Sequence, residues 1–483
     1  MSKFSLCLDE IIKRSGEPIA RIAKNAGLER TSIHKALKDE RVLPYSSLKK
    51  LIQYFQLTLP EVRELNLYYD MLLQGEDAYQ SYSEICHLMS DLSHLHFTSF
   101  SYKTELMDSL FLSNKMVQGK AEVEHIILAI LHKEADAKAP ISLYLNDTHY
   151  FTDIFMQFWR NGKDFTVQQI ITFRPDTLSD SATSTIQNIR RIRSLLPTAL
   201  LSKEQYYAYY CYTNDDARES LQPFPYYIVT PNCLLLLNED CSAIYINTEA
   251  SLIKFYQKQF EQAKSICQPL ISYSNEPLAV LSTYMDNTDQ GGYFTIMTQP
   301  CTGRYYTREI IEKYMRHDLP YRRELIEMGV ERFSTLARLQ NNYYTVFTEA
   351  GIDQFVEDGY IADLPKAQVL PLDHGDRLLM LQQLRDDIEH DIVCGYIADP
   401  DQLPIPQYLT FTCDPKHGLH IYAVDGFVNG GYTCNLHIGA ANIGHVFCNF
   451  IRFLPNSKYV YSKEQTLKIL DYYINRLKNV IRS

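Results

Sequence analysis

From Leu8 to Leu72 the apolar residues recur every three or four positions, as Leu8/Ile11/Ile12, Ile19/Ile22/Ala23, Ile33/Leu37, Leu48/Leu51/Ile52/Phe55 and Val62/Leu65/Tyr69/Leu72. Polar residues fill the intervals, so the pattern predicts five short amphipathic helices. The breaks between them carry their own signals. Gly16 with Pro18 separates the first pair, Gly27 the second, and "LPYSS" offers Ser46 as an N-cap. In "TLPE", Thr58 and Glu61 fit a capping box with Pro60 in the first turn.

Helical spacing continues through "LLQGEDAYQSY" and "EICHLMSDLSHLHF" to residue 97, which reads as a helical segment joining two regions. Then the period changes. Short extended runs alternate with helical ones: "ISLYL", a helix near 149–160, "VQQIITF", a helix near 184–197, "YYAYYCY", "YYIVT", "CLLLLN", "SAIYIN" and a helix from Thr248 to about Lys264. The second half repeats the order loosely. It gives "NYYTVFT", helices near 349–359 and 375–389, then "IVCGYIA", "YLTFT", "LHIYAV", "HVFCNFIRF" and a final helix. The fold class is multidomain: an all-α five-helix bundle followed by a large mixed α/β region. "SAIYINTEASL" (242–252) can be laid on "SKYVYSKEQTL" (457–467), which raises a duplicated module. The expected organisation is 1–72, a helical connection 73–97, and α/β modules over 98–270 and 271–483.

Charge changes this picture more than composition does. With 483 residues, 46% of them hydrophobic, the chain is long enough for several cored domains, and its net charge of −11 would repel a polyanion. The average conceals a split. Residues 1–60 hold eleven Lys/Arg against six Asp/Glu, a net of +5, so the remainder carries −16. Eleven cysteines are scattered with no CxxC, as expected of reduced thiols in a cytoplasm. No apolar run reaches the ~18 residues that span a bilayer, so no membrane partner is expected.

In "IARIAKNAGLERTSIHKALKDER" (19–41), Gly27 interrupts a basic helix at a point where a tight turn needs positive φ. Ala23 lies four residues before it and Ile33 six after, a spacing that lets two helices cross closely. On these residues the segment resembles the lambda-repressor-like, XRE-type helix-turn-helix family over about residues 5–72. The resemblance implies that the second helix enters the major groove of double-stranded DNA. By position it assigns DNA contacts to Arg30, Thr31, Ser32, His34 and Lys35, with Lys38 and Arg41 beyond. Two positions depart from the family pattern: Ile19 stands where a Gln commonly opens the first helix of the pair, and Glu29 where a Ser often caps the second.

Other constellations weigh less. Cys86, His87, His94 and His96 resemble a metal set, but His87 and His94 lie about 10 Å apart by helical rise, so no metal is expected. "DHGDRL" (373–378) precedes a strongly helical run, and an Asp cap explains it. "FVNGGYTCNLHIGAANIGHVF" lacks both GxGxxG and GxxxxGK[ST], and hairpin turns account for its glycines; HxKxxxxD and GxSxG are absent too. No cofactor is implied. The 36 tyrosines, many in strands, either line a pocket or face water alternately.

The sequence therefore predicts a cytoplasmic, homodimeric, DNA-binding transcriptional regulator that is not an enzyme. Its α/β region would sense a small-molecule or peptide effector or assemble the dimer. The alternatives are an enzyme, or a protein-interaction module of a defence or antitoxin kind, carrying a helix-turn-helix head.

Overall fold

The computed structural model describes the chain apart from residues 95–113, 147–148, 161, 176–180, 203, 214–221, 275–277, 279–281, 283–291, 340–341, 363, 408, 415–417, 424–432, 440 and 483. The five head helices are α1 (Lys3–Ser15), α2 (Ile19–Ala26), α3 (Arg30–Leu37), α4 (Tyr45–Phe55) and α5 (Leu59–Gln74). Their boundaries follow the local chemistry. Gly16 and Gly27 close α1 and α2 in the left-handed conformation, and the Thr58/Glu61 capping box opens α5. Ser46 is not a cap: α4 begins at Tyr45 behind Pro44, whose fixed φ suits a helix start. Phe4, Leu8, Ile22, Ile33, Leu48 and Leu51 fill a core of the head's own.

After Gly75, α6 (Glu76–Ser93) leaves the head and joins the body's core. Tyr82, Ile85, Leu88, Met89 and Leu92 are buried there. On its polar side Glu84 pairs with Arg190 at 2.7 Å and with Arg193 at 3.4 Å.

The body holds two mixed sheets. The first uses β1 (Lys115–Gln118), β2 (Ile141–Tyr144), β3 (Val167–Phe173), β4 (Tyr206–Tyr212), β5 (Tyr226–Val229), β6 (Leu234–Leu237), β7 (Ala243–Asn247) and β8 (Gln268–Pro269), in the order β1-β7-β6-β5-β2-β3-β4-β8. The second uses β9 (Ile271–Ser274), β10 (Tyr293–Ile296), β11 (Tyr343–Phe347), β12 (Cys394–Ile397), β13 (Leu409–Asp414), β14 (Gly418–Ala423) and β15 (Thr433–Ile438), in the order β9-β15-β14-β13-β10-β11-β12. Apart from β8, which has no counterpart, the two plans coincide strand for strand. In each, three neighbouring strands run parallel (β2-β3-β4 and β10-β11-β12), and the other pairings of this shared plan are antiparallel. Leu270 stitches the sheets together: its N–H donates to Ala208 O at 2.8 Å and its carbonyl accepts from His437 N–H at 3.2 Å.

The topology thus repeats, but the pairing of 242–252 with 457–467 is wrong. Residues 457–462 make only an isolated bridge, Ala398 to Val460, and the counterpart of β7 is β15. Connections of different length separate matching strands, so no constant offset relates them. A second correction concerns "HVFCNFIRF", which lies in α15 (Ala441–Phe453) and is not a strand. The helix packs on β13 and β14 and against α6, and of its described residues only His445, Asn449 and Arg452 are exposed, one turn apart; its β-branched and aromatic content reads as a strand when that sparse polar stripe is overlooked. Of the glycine-rich stretch, 427–432 and 440 lie outside the described residues; its described part is β15, which pairs antiparallel with the preceding β14, and the start of α15.

The remaining helices are α7 (Lys120–Asp136), α8 (His149–Arg160), α9 (Ser181–Leu201), α10 (Ala250–Ser265), α11 (Arg308–Tyr314), α12 (Arg322–Arg338), α13 (Glu349–Asp358), α14 (His374–Glu389) and α16 (Lys463–Arg482). The apolar pattern does not signal β1, α7, β10, α11 or α12. Asp373 does cap α14, accepting from Asp376 N–H at 2.9 Å.

Candidate nucleic-acid interface

The joint at Gly27 is a built turn. Gly27 has φ +65°, its N–H donates back to α2, and Leu28 N–H reaches Ala23 O at 2.9 Å. Glu29 is extended and precedes α3 without a side-chain cap bond. Ala23, Ile33 and Ala36 are buried where α2 and α3 cross. Ile19 packs against the head core, so the position where a Gln would reach a phosphate is here a packing residue.

Of the residues assigned from sequence, Arg30, Thr31, Lys35, Lys38 and Arg41 are exposed, and Ser32 and His34 are half-buried. Thr31, Lys35 and Lys38 follow helical spacing along one stripe. Arg30 Nε donates to His34 Nε2 at 3.2 Å, one turn on, which holds the guanidinium along the helix. Arg41 lies outside α3, in the segment that leads to α4.

Pairing divides the cations of residues 1–60 into two groups. Lys3, Lys13, Arg14 and Arg21 each face a carboxylate: Glu76 at 3.8 Å, Asp9 at 2.6 Å, Glu61, and Glu17 at 3.6 Å. Lys24, Arg30, Lys35, Lys38, Arg41, Lys49 and Lys50 have no carboxylate partner among the described residues. All seven lie in the stretch holding the turn, α3 and α4. The sequence does not single out Lys24, Lys49 and Lys50, because a missing partner is visible only in three dimensions. Lys50 Nζ sits 3.4 Å from Gly27 O, beside the turn.

One acid near this face is already committed. Asp39 accepts from Ser2 N–H and Ser2 Oγ, both at 2.6 Å, and from Ser5 Oγ at 3.2 Å. Burial works to raise its pKa, but these hydrogen bonds outweigh it and hold the carboxyl below its ordinary value. The result is a basic, hydroxyl-bearing surface backed by an apolar core.

The other candidates resolve otherwise. Cys86 is packed against the body and burial pushes its thiol up to about 12, while His94 Nδ1 lies 2.7 Å from Ser90 O; His96 lies outside the described residues. Among the described residues no group of three His, Cys, Asp or Glu could hold a metal ion. No described helix is long and apolar enough to cross a membrane. The tyrosines of β4 alternate through Tyr210, with Tyr206 and Tyr210 buried and Tyr207 exposed, while Tyr212 at the strand end is exposed on the otherwise buried face.

No protein-family model matches the chain, and no curated protein matches it. Two solved structures are similar in part. TrmBL2, an archaeal chromatin protein whose structure is described as showing a novel mode of DNA binding, shares 14% identity over 47% of this chain and 72% of its own, with a TM-score of 0.22. Polyphosphate kinase from Porphyromonas gingivalis shares 8% identity over 90% of this chain and 65% of its own, with a TM-score of 0.21. Neither superposes closely enough to carry a fold or an activity across.

Proposed function

We propose that this chain is a sequence-specific, DNA-binding transcriptional regulator whose head is a helix-turn-helix domain of the XRE type. The observation that carries the reading is the division of cations: those from Lys24 to Lys50 lack carboxylate partners among the described residues, and those before them are paired with one. Unpaired cations around an exposed helix are what phosphate neutralisation requires. Arg30 reads a base edge, Thr31, Ser32 and His34 bond bases or phosphates, and Lys35, Lys38 and Arg41 meet the backbone. Lys24, Lys49 and Lys50 extend the phosphate contacts.

A head of this size and charge binds weakly alone, and the acidic body adds no affinity for DNA. The working form is a homodimer whose two α3 helices meet half-sites about 34 Å apart. The body is a sensor and assembly platform in the cytoplasm, not an enzyme, and its effector is a small molecule or peptide. The test is selection of random duplexes by the purified protein, followed by footprinting. A two-fold symmetric site supports the reading, and recovery of no enriched sequence counts against it.

A further inference from the structure

The edge of the first sheet brings two cysteines face to face. In the antiparallel ladder between β4 and β8, Tyr209 stands opposite Pro269 and Tyr210 opposite Gln268. One residue further in the same register, Cys211 stands opposite Cys267. Leu270 N–H donates to Ala208 O at 2.8 Å, so 208 and 270 form a hydrogen-bonded pair. Antiparallel pairs alternate, which makes 209/269 and 211/267 the close, non-hydrogen-bonded kind. Pro269, with no N–H to give, fits that alternation. Cα atoms in such a pair lie about 4.5 Å apart. A disulfide spans about 4.4–6.8 Å between Cα atoms, so the backbone already has the spacing that one needs.

The side chains agree with the backbone. The Cys267 thiol donates to Ala263 O at 3.2 Å, which anchors its sulfur at the last turn of α10, and the two thiols lie beside each other. Their contact lowers the Cys211 pKa and raises that of Cys267, so one sulfur becomes the thiolate and the other keeps its proton. Neither is sealed, since both are half-buried. Elsewhere these conditions separate. Cys413 and Cys448 also lie together, but both are buried, and burial raises the Cys413 pKa well above its ordinary value. Cys7, Cys86 and Cys394 are half-buried, yet burial raises the pKa of each. A thiolate, access from solvent and a second thiol to resolve the product are what reversible oxidation by a peroxide requires.

We propose that Cys211 and Cys267 are a peroxide-oxidised thiol pair that closes to a reversible disulfide. The Cys211 thiolate attacks one oxygen of hydrogen peroxide; the O–O bond breaks and hydroxide leaves, taking up the proton that Cys211 had shed. Cys211 is then a sulfenic acid. The Cys267 sulfur attacks the sulfenic sulfur while its proton passes to the departing hydroxide. The S–S bond forms and the S–O bond breaks, so two thiols are oxidised and one peroxide is reduced to two waters. A dithiol reductant reverses the change by thiol–disulfide exchange. The bond closes the stretch that carries β5, β6, β7 and α10, just before Leu270, where the two sheets are stitched. Any effect on operator binding rests on the regulator reading above, whereas formation of the bond does not.

The test treats the reduced full chain with hydrogen peroxide, blocks the remaining thiols and maps peptides by mass spectrometry without reductant. The first product expected is the Cys211 peptide joined to the Cys267 peptide, with the intact mass lower by about 2 Da and restored by dithiothreitol. In Cys267→Ser the sulfenic acid has no resolving thiol, so dimedone should label Cys211. In Cys211→Ser neither a link nor a dimedone label on Cys267 should form. Oxidation that begins at another thiol, a Cys211 that passes to sulfinic acid without the link, or a dimedone label on Cys267 in Cys211→Ser would overturn the proposal. The parent chain alone decides the link, so a variant that folds poorly leaves the test intact.

Discussion

Lys458 Nζ lies 3.0 Å from Oδ2 of the fully buried Asp70, and this ion pair fastens the last head helix to the loop before α16. The head is therefore anchored to the body by charge as well as by the run of α5 into α6. Burial raises the Asp70 pKa above the ordinary carboxylate value, and Lys458 opposes that rise. Replacing Lys458 by Met strands a buried carboxylate and should cost about 3 kcal/mol near neutral pH. The sign with pH follows from the raised value. A carboxyl whose pKa is higher in the folded state contributes stability that is complete below its unfolded pKa and is lost as pH rises through the folded one. Without Lys458 the rise is larger, so the variant should lose more stability near pH 7 than near pH 4.5. Urea denaturation at both pH values measures this, and equal losses would argue against the buried pair.

Gly27 supplies the turn by conformation alone. A Cβ there would meet nothing within 4 Å, yet φ is +65°. Gly27→Ala should therefore lower head stability by about 1 kcal/mol through backbone strain, and Gly27→Asn by less. Thermal melting of the three proteins compares them; an alanine variant as stable as the parent would mean the turn is not held in the left-handed region.

Cys211, on β4, has the Cys267 thiol beside it, and the pairing of the two thiols lowers the Cys211 pKa below its ordinary value despite partial burial. At neutral pH it should carry the most thiolate, while burial keeps Cys233 and Cys434 up at about 12. Iodoacetamide labelling read by mass spectrometry should modify Cys211 first, and Cys267→Ala should slow that reaction roughly tenfold. Labelling that begins at another thiol would contradict the pairing.

Asp373 links a cap to an ion pair, since it accepts from Asp376 N–H at 2.9 Å and faces Lys313 Nζ at 2.6 Å. The Lys313 ammonium, with the cap bond, holds the Asp373 carboxyl down at about 2. Asp373→Ala should cost about 1 kcal/mol of stability, the usual loss for an N-cap, and leave DNA affinity unchanged. A large change in DNA affinity would give this acid a role beyond the helix start.

The head was legible because its signals are local. Gly16, Gly27, Thr58 and Glu61 act within a turn of where they stand, and the apolar spacing between them points to one core. Ser46 misled because Pro44 competes for the same helix start. The body was legible as a class and less so as a plan. Val446, Phe447 and Phe450 belong to a helix packed against the second sheet, and its polar stripe of His445, Asn449 and Arg452 is too sparse to outweigh its strand-like composition. Cys211 and Cys267 are separated by several elements of the chain and become a pair only through strand register. The proposed interface shows the same division. Arg30 and Lys35 are assigned by position from the family resemblance, whereas Lys24, Lys49 and Lys50 emerge only when the partners of every other cation are known.

The most direct measurement is the salt dependence of operator binding, followed by fluorescence anisotropy for the parent and for Arg30→Ala, Lys35→Ala and the double variant. Arg30→Ala should cost about 1–3 kcal/mol and relax preference at one base pair. Lys35→Ala should weaken binding to all sequences and reduce the slope of log affinity against log salt by about 1 per head. A double variant that binds the operator with unchanged affinity and slope would remove α3 from the interface and with it the account of this chain as a helix-turn-helix regulator.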